Sequence, residues 1–96
     1  MGYTIYYIVS FRDRDKALKV LKPILEELNF RVYEKNAAII IEPNCERVEP
    51  MIINGRWMSA KTYKLQPYTG IYKLLLLSLS SFASVEAFDD EGWSLK

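Results

Sequence analysis

Eight residues between Arg56 and Lys73 alternate cations with rings: Arg56, Trp57, Lys61, Tyr63, Lys64, Tyr68, Tyr72 and Lys73. The charge of this segment is wholly positive. Rings that stack bases beside cations that hold phosphates are what single-stranded nucleic acid binding requires. The same residue types also serve plainer ends, as core rings and solvated cations. No RNP-type or glycine-rich RNA-binding motif accompanies them. The set is a candidate nucleic-acid or partner surface.

A second group is acidic. Asp89, Asp90 and Glu91, with Asp13 or Asp15 if the fold brings them near, supply the oxygen ligands that Mg²⁺ or Ca²⁺ takes. A metal-dependent hydrolase is the activity such a group would imply. The spacing is not that of an EF-hand loop, and a solvated acidic turn accounts for it equally. Cys45 is the lone cysteine, flanked by Asn44 and Glu46, with Arg47 one residue further on. Thiol activation needs cationic neighbours, and the nearest charge here is negative. The chain contains no histidine. That removes Ser-His-Asp and Cys-His nucleophilic systems, histidine acid–base catalysis and the usual zinc sites. No catalytic residue or metal ligand is assigned, and no cofactor is expected.

Composition bounds the rest. Ninety-six residues make one domain, 1–96, with room for a single core. Half the residues are hydrophobic and only four are glycine and four proline, which argues against disorder. A net charge of +1 gives no global attraction to nucleic acid or an anionic membrane. A single cysteine fits a reducing, cytoplasmic setting. Met1 to Ile5 run straight into a strand pattern, with no secretory signal expected. Many Ile, Tyr, Lys and Glu residues with a lone Gln66 match a thermophile's composition.

The elements that must position these groups follow from periodicity. Tyr3–Ser10 alternates Tyr3, Ile5, Tyr7 and Val9 against Thr4, Tyr6 and Ile8, and reads as a central strand. Ala17, Leu18, Val20, Leu21, Ile24, Leu25 and Leu28 recur at spacings of three and four, the stripe of an amphipathic helix. Asp13 or Asp15 is its N-cap, Pro23 kinks or breaks it, and Asn29 ends it in a left-handed conformation. Phe30–Glu34 and Ala37–Glu42 form a hairpin about Lys35-Asn36, with the second strand buried on both faces. Asn54-Gly55 signals a tight turn between Met51–Ile53 and Arg56–Met58, and Lys61–Leu65 alternates as a return strand with Tyr63 and Leu65 inward. Ile71–Phe82 is apolar nearly all round and reads as the central core helix, capped by Thr69. Its leucine run is too short for the roughly 20 apolar residues of a membrane span. Ser84–Phe88 is a last strand.

This order predicts an α+β two-layer sandwich, with two helices on one face of a mainly antiparallel sheet. The arrangement is ferredoxin-like, with an insertion between strand 3 and helix 2. Cys45-Glu46, Lys61-Thr62 with Pro67-Tyr68-Thr69, and Asp89-Asp90-Glu91-Gly92 together resemble a pattern in small archaeal proteins that carry no established activity. The resemblance covers the second half of the chain and implies no catalytic residue. The expected function is therefore a non-catalytic binding module for a protein partner or a second copy of itself, with no membrane association. Single-stranded RNA or DNA binding through Arg56–Lys73 is the alternative, and the metal-dependent hydrolase a third reading.

Overall fold

A computed structural model describes residues 2–95; Met1 and Lys96 lie outside the described residues. Strand β1 (Thr4–Phe11) is central, as its two apolar faces predict. It runs antiparallel between β5 (Met58–Lys61) and β6 (Ala83–Asp89), and β7 (Ser94–Leu95) extends the sheet beyond β6. A second antiparallel sheet holds β2 (Arg31–Lys35), β3 (Ala38–Glu42) and β4 (Met51–Ile53) in that order. With helices α1 (Arg14–Glu27) and α2 (Tyr68–Leu79), the fold class is α+β. The radius of gyration, 12.3 Å, matches the roughly 12.5 Å of a compact domain this long.

One core unites the elements. Ile5, Tyr7 and Val9 of β1, Val85 and Ala87 of β6, and Ala60 of β5 meet Val32, Ile39, Ile41, Met51 and Ile53 of the second sheet. Leu25 of α1 and Tyr72, Leu75, Leu76 and Leu79 of α2 complete it. A void of about 20 Å³ remains between α1, α2 and the second sheet, lined almost wholly by apolar side chains. One phenol joins the two sheets where no strand ladder does, and a second ties α2 to the loop before β4. The Tyr7 hydroxyl accepts from the Ile52 backbone N–H at 2.7 Å, and the Tyr72 hydroxyl donates to the Glu49 carbonyl at 2.6 Å.

Local signals place most boundaries. Asp13 caps α1 by accepting from the Lys16 N–H at 3.1 Å, and Asn29 sits at φ 66° just past the helix end. The helix continues unbroken through Pro23. A proline removes one backbone donor, and the apolar residues beyond it, Leu25 above all, hold the far half against the core.

Several expectations are corrected. The first hairpin turns at Asn36-Ala37 rather than Lys35-Asn36: both residues have positive φ, 52° and 65°, and Lys35 still pairs with Ala38. The strands flanking Asn54-Gly55 do not pair with each other in a ladder. β4 joins β3, β5 joins β1, and the Asn54 side chain folds back onto the Arg56 N–H. The return strand Lys61–Leu65 ends at Lys61, because Tyr63 and Lys64 adopt left-handed φ of 54° and 58°, which takes them out of extended backbone. Tyr63 consequently points into solvent.

Helix α2 begins earlier than expected, with Pro67 at the N-cap position and no side-chain cap. Thr69 lies inside it, bonding the Leu65 carbonyl at 3.0 Å and the Thr62 hydroxyl at 2.7 Å. Nor is α2 buried all round: Leu74 and Leu77 are among the most exposed apolar side chains of the domain. The amphipathic stripe of α1 also splits. Ala17 and Leu25 are buried, whereas Val20, Ile24 and Leu28, four residues apart, remain about half exposed. β3 is buried fully on one face only, through Ile39 and Ile41.

Candidate functional site

Two of the four cations of the basic segment find their counter-ions in the acidic turn. Lys73 Nζ lies 3.2 Å from Asp89 Oδ2, and Lys64 pairs with Glu91. The turn Asp89–Gly92 links β6 to β7, with Gly92 at φ 96°, so its carboxylates face the strand ends instead of a common ligand. Asp89 is buried and takes four donors: the Tyr3 hydroxyl, Lys73 Nζ, and the backbone N–H groups of Glu91 at 2.8 Å and Trp93 at 2.9 Å. Asp90 Oδ2 accepts from the Thr4 N–H at 2.9 Å. Among the described residues no group of three or more carboxylate or thiol side chains is gathered closely enough to hold a metal ion.

The pKa shifts in this cluster follow from burial and from the bonds among its members. Burial alone would raise the Asp89 carboxyl, but the Tyr3 hydroxyl, the two backbone N–H groups and Lys73 together hold it at about 2. Burial and the bond to Asp89 raise Tyr3 above its ordinary value. Lys73 is also raised: the bonds to Tyr3 and Asp89 outweigh the opposing effect of burial. Lys73 further lies 5.2 Å from the Tyr3 ring centre and 5.1 Å from that of Trp93. The cluster is a clasp for the β6–β7 end of the sheet.

The eight candidate surface residues therefore do not form one surface. Tyr72 is wholly buried. Tyr68 packs edge-on against Phe30, and its hydroxyl donates to the Asn44 carbonyl. Lys64 and Lys73 are ion-paired, and Tyr63 stands apart in its left-handed turn. Arg56, Trp57 and Lys61 remain exposed, and neither cation makes an ion pair with another described residue. Cys45 is half-buried on an open depression of about 420 Å³ that it shares with Glu42 and Glu46.

Two exposed apolar faces stand out instead. The first is a groove of about 220 Å³ between α1 and α2, lined by Leu21, Ile24 and Leu28 on one side and Ile71 and Leu74 on the other, with Leu25 and Leu75 at its floor. The second lies on the outer face of the four-stranded sheet. There Tyr6 stacks on Phe88, with ring centres 4.9 Å apart and planes 18° from parallel, and Phe88 meets Trp57 at 5.7 Å. Periodicity carried a signal for both. Val20, Ile24 and Leu28 are spaced i, i+4, i+8, and Tyr6 alternates onto the face opposite Ile5 and Tyr7. What periodicity lacks is the knowledge of which apolar face finds a neighbour. No protein-family model, no curated protein and no solved structure matches this chain.

Proposed function

We propose that the chain is a non-catalytic binding module that pairs with a second copy of itself through the α1–α2 face. The observation that carries this reading is the exposure of Val20, Ile24, Leu28, Leu74 and Leu77 on two neighbouring helices. Apolar side chains gathered on one face, rather than scattered singly, mark an interaction surface. Two helices side by side, each roughly 10 Å wide and 20 Å long, present about 400 Å² in projection. Standard interfaces bury about 800 Å² a copy and the least expected of a biological one is about 500 Å², so the two helix faces supply most of that lower figure and the flanks must supply the rest.

The flanks favour a like partner. At 100° per residue, Lys16 and Glu27 lie at opposite ends of the same border of the stripe, and neither is ion-paired among the described residues. An antiparallel, two-fold pairing that sets Val20 across from Ile24 brings each Lys16 to the Glu27 end of the other copy. Such a contact is isologous and closes as a dimer. Pairing through a strand at Lys61–Leu65 is less favoured, because the strand stops at Lys61. The outer edge there is already taken by Glu49, whose backbone N–H donates to the Lys61 carbonyl and whose carboxylate accepts from the Lys61 N–H.

The finer fold reading belongs with this proposal. The shared void beneath α1 and α2 supports both helices on one side of the second sheet. The pairing of β1 with β6, the first strand with the one that follows α2, is the neighbour relation this fold shares with a ferredoxin-like layer; β3 lies in the second sheet instead of beside β1. Light scattering over a wide concentration range tests the function. A dimer is expected for the native chain, and monomer for Ile24→Glu and Leu74→Glu. Monomer throughout for the native chain would refute self-association.

A further inference from the structure

The outer face of the four-stranded sheet is a different surface from the helix groove, and its chemistry is different. Tyr6↔Phe88 and Tyr6↔Ser59 are register partners, so β6, β1 and β5 place these three residues in one row across the sheet. Trp57, immediately before β5, reaches the same row through its contact with Phe88. The inward neighbours along these strands, Ile5, Tyr7, Ala60 and Ala87, are core residues, so the rings face away from the core. Trp57 is 51% and Phe88 43% exposed. Together with Tyr6, Met58 and Ser59 they border an open depression of about 490 Å³.

Tyr6 and Phe88 cover one face of each other, and the depression bordered by Tyr6, Trp57 and Ser59 leaves ring surface that a planar base covers better than an aliphatic side chain does. The charges refine the choice of ligand. Lys61 shares the outer face, opposite Thr4, and Arg56 adjoins Trp57. These are the two cations of the basic segment that the acidic turn leaves free. They bracket β5 at a separation of roughly 17 Å for extended chain. Glu86, two residues before Phe88 on β6, gives the far border the opposite sign. Glu49, bonded to the Lys61 N–H, sets a carboxylate on the outer edge of β5, so a phosphate chain would be held over the sheet face by the Arg56 and Lys61 side chains, with its bases turned toward Tyr6 and Trp57.

We propose that this face binds single-stranded nucleic acid, with unpaired bases stacking on Trp57, Phe88 and Tyr6 and phosphates contacted by Arg56 and Lys61. The site is independent of self-association, since the helices' exposed stripes and this sheet face share no residue.

Fluorescence anisotropy of labelled single-stranded RNA and DNA oligonucleotides at 50 mM salt tests the proposal. Saturable binding is expected, weakened about 5- to 150-fold by Trp57→Ala or Phe88→Ala, the range that loss of one stacked base gives. Lys61→Gln should flatten the salt dependence by about 0.7 in log–log slope. Ser59→Glu changes only an exposed strand residue and sets a carboxylate beside Tyr6 on the border of the depression, so it should abolish binding with the circular dichroism spectrum unchanged. Tyr63→Ala, outside the platform, should bind as the native chain does. Absence of binding at 50 mM salt would overturn the proposal. So would binding that the two ring variants leave within twofold while the cation variants abolish it, which describes a charge patch without stacking. Capture of an aromatic-rich peptide in place of the oligonucleotides would assign the face to protein.

Discussion

Lys73 in the second turn of α2 and Asp89 at the end of β6 meet at 3.2 Å, with the Tyr3 hydroxyl bonded to the same carboxylate. The contact joins a helix, the C-terminal end of one strand and the residue that precedes β1. It also pairs two groups whose types alone invite a chemical reading, and buries the carboxylate. A carboxylate holding four donors has no lone pair arranged for a substrate.

The depressed Asp89 carboxyl makes a prediction for acid. Its folded value is about 2 against an ordinary 3.8. The associated stability is therefore fully present above about pH 4 and is lost as pH falls through 2. A shift of this size corresponds to about 2 kcal/mol. Urea unfolding between pH 2 and pH 6 should show the decline in the native chain. Asp89→Asn should be less stable at pH 6 and should lack this part of the acid dependence. Equal slopes for the two proteins would contradict the account.

Tyr7 makes a prediction for the opposite end. Its hydroxyl satisfies the Ile52 N–H on the side of β4 away from β3. Tyr7→Phe leaves that donor unpaired, a loss of about 1–3 kcal/mol at neutral pH. Burial pushes the phenol up to about 12. In the native chain its contribution is thus present below about pH 10 and is lost as pH rises through 12. Burial raises Tyr72 in the same direction. Denaturant melts at pH 7, 9 and 11 should show the gap between Tyr7→Phe and the native chain narrowing as pH rises.

Ala37 occupies the second position of the first hairpin's turn at φ 65°. A left-handed alanine costs about 1–2 kcal/mol, of which glycine's greater freedom when unfolded takes back part. Ala37→Gly should therefore stabilise the protein by about 0.5–1 kcal/mol, raising Tm by a few degrees for a domain of this size. A lower Tm would show that the alanine side chain makes contacts that outweigh its backbone conformation.

Alternation made β1 and β6 legible, and the Asp13 cap and the Asn29 stop marked the limits of α1, because each is a local property of neighbouring residues. The split of apolar residues between core and surface was not local. Leu74 and Leu76 are chemically identical and two residues apart, yet one is 64% exposed and the other fully buried. Only the position of the sheet distinguishes them. The basic–aromatic segment misled for a related reason. Its counter-ions, Asp89 and Glu91, lie 16 and 27 residues from Lys73 and Lys64, and no pattern within the segment announces them. The positive φ of Tyr63 and Lys64 had no glycine or asparagine to signal it.

The two bonds between Glu49 and Lys61 have a consequence for behaviour in concentrated solution. Beyond Lys61 the outer edge of β5 would otherwise present a free N–H and carbonyl, the template on which a strand from another molecule adds. When this edge pairs with the β7 edge of another copy, a free edge remains each time, so addition does not stop at two copies and grows into a filament. A helix-face pair is finite; an edge-to-edge stack is not. Glu49 thus separates closed association from open-ended polymerisation. With the side chain cut back in Glu49→Ala, slow fibre growth that shaking or seeding accelerates becomes the characteristic failure of this fold.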